Sequence, residues 1–234
     1  MTISQLKKQI RQFGTIERAK ASLWFFKTGK GDYGEGDKFL GLKMGEQRVL
    51  AKKFVDLELN ELAPLLKSEW HEERMIALII LTYKYPKADD KEKKKIYEFY
   101  IKHRKAVNNW DLVDVTVPRV IGAYLVDKDR SILFKYANSK DLWEKRIAVL
   151  ATFAFISRND FKDSLKIAKI LLNDKHDLIH KAVGWMLREI GKRDQAVEEK
   201  FLKQHYKKMP RTMLRYSIEK FDEPLRLKYL KGEI

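Results

Sequence analysis

Cysteine is missing from all 234 residues. Its absence excludes disulfides and thiolate metal sites, and it fits a reducing compartment. Long apolar runs are missing as well. None approaches the roughly eighteen residues that a membrane span needs. Met1 to Arg11 is polar and amphipathic, so it does not read as a signal peptide. Strand patterning is weak, and no alternating segments are joined by Asn-Gly or Asp-Gly turns. Acidic residues are in deficit, 33 against 49 Lys and Arg, which leaves a net charge of +16. That balance speaks to partners and not to fold: it selects polyanions such as DNA, RNA or an anionic membrane surface. The chain is no disordered basic tail, because hydrophobic residues make up 44% of it and aromatics 12%.

What is present is helical periodicity. Arg74 to Leu81 and Ile147 to Phe153 are apolar nearly all round, as buried inner helices would be. Arg74, Asp114, Arg146, Lys181 and Thr212 each open a similar apolar stretch, 31 to 40 residues apart. Helix pairs of that period describe an all-α, HEAT-like α-solenoid of stacked antiparallel pairs over residues 1–234, without a linker that would split it. The residues at matched positions would line one face, the basic concave one. Thr28 to Gly45 carries six of the eleven glycines and reads as a loop between two helices. Pro118 falls inside an inner helix and should kink it, whereas Pro86 and Pro210 mark turns. Basic residues crowd into Lys87 to Lys105 and again into Lys200 to Lys231, where ten stand against three acids and Arg211 and Arg215 are among them. One lysine-rich helix is usually a solvated face. Several such patches beside a row of Arg and Trp favour nucleic-acid binding.

The most informative segment is Asn108-Asn109-Trp110-Asp111-Leu112-Val113-Asp114. Asn109 suits an N-cap, so Trp110 opens a helix and Asp114 lies one turn on, on the same face. On spacing alone a core Trp and an ion-paired Asp are the commoner reading. Two further segments shift the balance. Arg146 takes the repeat position equivalent to Asp114, and Trp185 lies one turn beyond Lys181, the matched position in the next repeat. An acid, a guanidinium and two indoles would then converge on one surface.

These residues carry a family resemblance. Trp110-Asp111-Leu112-Val113-Asp114, Lys145-Arg146-Ile147-Ala148 and Lys181-Ala182-Val183-Gly184-Trp185-Met186-Leu187-Arg188-Glu189 resemble the AlkD family of alkylpurine DNA glycosylases, as does Gly36-Asp37-Lys38-Phe39-Leu40-Gly41. The likeness covers most of the chain. Gly45 stands where relatives often carry Pro, which touches a helix start and not the chemistry. The resemblance implies a HEAT-like enzyme that hydrolyses the N-glycosidic bond of cationic N3- and N7-alkylated purines in duplex DNA. It places Trp110, Asp114, Arg146 and Trp185 at the catalytic cleft, and it implies a lesion sensed through the backbone without a base-recognition pocket. Arg74, Lys181, Arg188, Arg211 and Arg215 are the expected DNA contacts, with Tyr33 as the N-terminal aromatic contact.

The chemistry suits those residue types. An alkylated purine is already a cation and leaves without a general acid, so one carboxylate serves where ordinary glycosidases use two. Asp114 would stabilise the oxocarbenium-like sugar and orient the attacking water. Arg146 would hold a phosphate next to the lesion, and Trp110 and Trp185 would pack on the sugar and favour cationic groups. The motif has no Lys nucleophile, so the product is an abasic site without strand cleavage. No cofactor and no metal is called for. Gly29-Lys30-Gly31-Asp32-Tyr33-Gly34 spells a dinucleotide fingerprint but follows a helix and lacks a βαβ unit. His176 and His180 have metal-ligand spacing but no third ligand, so a surface pair is the better reading. His71-Glu72-Glu73-Arg74 is not the His-Glu-x-x-His of metalloproteases. The expectation is a monomeric, cytoplasmic, nucleoid-associated enzyme acting on alkylated duplex DNA. The competing reading is a non-catalytic HEAT-like scaffold, since fold alone does not imply catalysis.

Overall fold

The computed structural model describes residues 1–234, and its regular structure is all helical. Its one β-type contact is an isolated bridge between Lys38 and Trp70. No helix is long and apolar enough to cross a membrane. The chain divides into two compact units, Met1–Val120 and Ile121–Ile234.

The first unit opens with α1 (Ile3–Phe13) and α2 (Ile16–Phe25). A reciprocal cap starts α1: the Gln5 amide donates to the Thr2 hydroxyl, and the Thr2 amide donates to the Gln5 side chain. After the glycine-rich loop come α3 (Met44–Lys53), α4 (Leu59–Leu66), α5 (His71–Lys84), α6 (Asp90–Lys102) and α7 (Trp110–Thr116). Helix α5 is the axis of this unit, with α3, α4 and α7 packed on it. Met75 to Leu81 are all buried, as their unbroken apolar run predicts. Each Leu, Ile or Met among them contributes about 1.5–3 kcal/mol on leaving water. The loop is closed by specific backbone needs. Gly41 has φ +86°, and a Cβ there would lie 2.3 Å from the Thr15 carbonyl oxygen.

α7 gives way to a π-helical turn, Pro118–Gly122, in which the unit boundary falls. Pro118 has no N–H to donate and its ring crowds the preceding turn, so a widened turn relieves the clash. The second unit runs through α8 (Ala123–Leu125), α9 (Ser131–Ala137), α10 (Leu142–Ala151), α11 (Phe153–Ile156), α12 (Lys162–Ile170), α13 (Asp177–Gly191), α14 (Gln195–His205), α15 (Arg211–Ser217) and α16 (Glu223–Lys231). The short link between α9 and α10 makes them antiparallel neighbours. Asp141 caps α10 by accepting the Trp143 and Glu144 amides at 2.7 and 3.2 Å. Helix α13 is the axis here, packed against α10, α14 and α15. Its approach to α15 depends on Gly184, where a Cβ would stand 2.5 Å from the Met213 carbonyl oxygen. Asp114, Arg146 and Lys181 each lie in the second turn of α7, α10 and α13, in line with the repeat expected at those positions.

Candidate functional site

In the first unit, the site is built on the start of α7. The Trp110 amide donates to Asn109 Oδ1 at 2.8 Å, so Asn109 is the cap that the sequence predicts. Trp110 is half-buried and its ring stacks on Phe26, with centroids 5.4 Å apart. Phe25 meets the same indole edge-on at 5.7 Å. Phe26 continues the stack to Phe39 at 4.9 Å. Asp114, one turn along α7 from Trp110, is half-buried.

Beneath this aromatic stack lies a buried ionic network that the sequence did not reveal. The His71 ring packs against Phe39 and Phe26, with centroids 4.6 and 5.0 Å away. Its Nδ1 lies 2.9 Å from Asp37 and its Nε2 lies 2.9 Å from Asp111. Burial works against the charged ring, but the Asp111 and Asp37 carboxylates outweigh it and push the His71 pKa up to about 9. At neutral pH both ring nitrogens therefore donate. Burial also opposes the Asp37 charge, yet His71 and Arg74 hold that carboxyl below its ordinary value. Next to His71, Glu72 accepts the backbone amides of Leu40, Gly41 and Leu42 at 2.9, 2.7 and 3.2 Å. Glu73 is buried against Lys7 and Arg11 of α1 at 3.1 and 3.5 Å. The four residues His71 to Arg74 thus tie α5 to α1, α7 and the glycine-rich loop.

Two of the expected DNA contacts, Arg74 and Tyr33, lie in this unit. Arg74 is only 5% exposed. Its terminal nitrogens are taken by Asp37 at 2.5 Å and by the Ser68 carbonyl at 2.9 Å, so it is a buried, internally bonded cation and not a freely exposed one. Tyr33 is half-buried within the glycine-rich loop. The rings that meet Trp110 are Phe25 and Phe26, the last of an aromatic run, Trp24-Phe25-Phe26, that was visible just ahead of the loop. Phe25 is 55% exposed and Trp24 is 83% exposed.

In the second unit, Lys181, Trp185 and Arg188 follow one face of α13 at helical spacing. Trp185 is half-buried, donates to Glu189 at 3.2 Å and lies 6.2 Å from Phe153. Lys181 pairs with Asp177 at 2.7 Å, and Arg188 with Glu219. Arg146 is 4% exposed and its guanidinium donates to the Leu178 carbonyl at 2.5 Å. Arg211 and Arg215 are exposed on α15, the former donating to the Leu230 carbonyl at 2.7 Å. His176, the cap of α13, and His180 in its first turn are half-buried and serve its start. His176 Nδ1 accepts the Leu178 amide at 3.1 Å, and His180 Nε2 donates to the Asp174 carbonyl at 2.5 Å.

A sequence family described as DNA alkylation repair enzyme matches residues 6–221. The chain belongs to that family. A solved structure of a predicted DNA alkylation repair enzyme from Enterococcus faecalis has the same fold, with a TM-score of 0.70 at 15% identity, over 90% of this chain and 97% of that one. Nothing among the curated protein sequences matches the chain. For a DNA alkylation repair enzyme, an excess of sixteen positive charges is the complement of a polyanionic substrate.

Proposed function

We infer that this DNA alkylation repair enzyme is a monofunctional glycosylase that hydrolyses the N-glycosidic bond of cationic N3- and N7-alkylated purines in duplex DNA. The observation that carries the reading is the division of labour between the two acids of α7. Asp111 turns inward and holds His71, while Asp114 is half-buried on the face that carries Trp110. An indole braced by Phe25 and Phe26 next to a carboxylate suits a cationic sugar that must be packed and stabilised at once. The leaving purine already bears its positive charge, so no acid need protonate it. Asp114 then acts on the sugar: its charge offsets the oxocarbenium character, and it orients water toward the anomeric carbon. Arg146, anchored by the Leu178 carbonyl, supplies a fixed guanidinium for the phosphate next to the lesion. Trp185, on α13 of the second unit, keeps the sugar-packing role that the family resemblance implies.

The test is incubation with methylated duplex DNA and chromatography of the released bases. Free 7-methylguanine or 3-methyladenine is expected, with intact strands, and Asp114→Asn lowers release by about 10²–10⁴-fold. Duplex binding without any released base, even at excess protein, would replace this reading with that of a binding scaffold.

A further inference from the structure

The first unit holds a cavity of about 480 Å³ that neither the Trp110 face nor the proposed chemistry uses. Three connections line it: the glycine-rich loop at Glu35 to Asp37, the α4–α5 link at Leu66 to Glu69, and the α6–α7 link between Lys102 and Asn108. Arg74 lies in its wall as well. One of these lining residues carries a buried donor without a partner, Nε of Arg74. Buried groups of that kind normally have one. The Arg74 guanidinium cannot turn away to find it, because Asp37 and the Ser68 carbonyl hold its other two nitrogens.

Charge of both signs lines the cavity. Lys67, Lys102 and Lys105 are exposed at its edge. The carboxylates that line it are engaged elsewhere. Asp37 is bound by His71 and Arg74, Glu69 pairs with Lys38 at 2.7 Å, and Glu35 accepts the Gly31 amide at 2.9 Å. Three ammonium groups thus surround a polar hollow floored by a fixed guanidinium. Ammonium groups on flexible stems hold phosphate as point charges, without the planar match that a carboxylate would ask of arginine.

We propose that this cavity seats a backbone phosphodiester of duplex DNA, on a strand running past the start of α7. The position follows from the chain itself: Asn108 lines the cavity and its neighbour Asn109 caps the helix of Trp110 and Asp114. The proposal rests on the glycosylase reading for its choice of duplex DNA, and not on catalysis. The seat contributes affinity and register without reading sequence.

Gel-shift titrations with an undamaged duplex over a salt series test it. The triple variant Lys67→Ala, Lys102→Ala, Lys105→Ala should bind about tenfold more weakly at low salt, with a log–log salt slope shallower by about 1, as for one phosphate given up. A control triple, Lys8→Ala, Lys20→Ala, Lys52→Ala, removes the same charge from exposed positions of the unit outside the basic patches and should change binding by less than about twofold. Asn108→Asp, which puts a negative charge in the cavity wall and spares every lysine, should also weaken binding. Equal losses in the two triples, or unchanged binding in the first, overturn the seat. If inorganic phosphate binds the wild type and not the first triple while duplex binding is unmoved, the cavity takes a free anion and the DNA assignment falls. Base release from methylated duplex is measured on the same samples. No release with the slope change intact sinks the glycosylase reading alone. Release with an unchanged slope sinks the seat alone.

Discussion

The two units fix their axial helices by different physical means. Helix α5 enters the first unit through four consecutive buried charged residues, His71 to Arg74, whose partners come from α1, α7 and the loop. Helix α13 enters the second unit with Asp177, His180 and Lys181 at least partly exposed, and is held by apolar burial and by the close approach at Gly184. A buried ionic hub tolerates the loss of a partner badly, because the remaining charges stay out of water. A packed apolar seam responds to volume. The first unit should therefore be sensitive to charge and pH, and the second to shape.

The sharpest way to break this contrast is His71→Leu, which strands Asp111 and half of Asp37. The first unit should lose about 3–5 kcal/mol, read as faster amide exchange in α5 and α7 with α13 protection unchanged. Equal loosening of both units would end the distinction. The pH sign is definite. The folded His71 pKa is about 9, above its ordinary value of 6.5, so its stabilisation is complete below 6.5 and fades as pH rises through 9. The gap in urea midpoint between wild type and His71→Leu should narrow over that window.

Glu72→Gln comes next, at about 3 kcal/mol, since one carboxylate accepts three amides and charged hydrogen bonds are the stronger kind. Limited proteolysis at residues 40–42 would show it. In the second unit Gly184→Ala should cost about 2 kcal/mol, because the new Cβ meets the Met213 carbonyl and Tyr216 Cβ, both at 2.5 Å, and the helices must part. The smallest effect is a gain. Glu198 is buried, and burial, reinforced by Glu199, pushes its carboxyl up to about 9. Its contribution is full below 4.5 and lost as pH climbs toward 9, so Glu198→Gln should be neutral near pH 4 and stabilising by on the order of 1–2 kcal/mol at pH 8. A thermal-melt series in pH distinguishes the two windows.

Much of the fold is written locally. The apolar runs of α5, α10 and α13, the Asn109 cap and the disruption at Pro118 each depend on residues within a turn or two. The His71 hub is not local. Its partners Asp37 and Asp111 stand 34 and 40 residues away, and His-Glu-Glu-Arg in isolation looks like a solvated helix start. Arg74 is legible only in part for the same reason: a cation at a repeat position reads as a free surface charge until Asp37 arrives from the loop. That Trp110 and Asp114 share a face was legible because residues four apart on one helix do so whatever the tertiary structure. The rings behind Trp110 were not, since Phe25 and Phe26 reach it only through the fold.

Trp24 gives the molecule a built-in optical probe. It is 83% exposed, whereas Trp70, Trp110, Trp143 and Trp185 are half-buried. Its fluorescence should be the most red-shifted of the five and the first to be quenched by iodide. Anything that settles on α2 would shield it and turn the emission blue, so occupancy of that helix can be followed without attaching a dye.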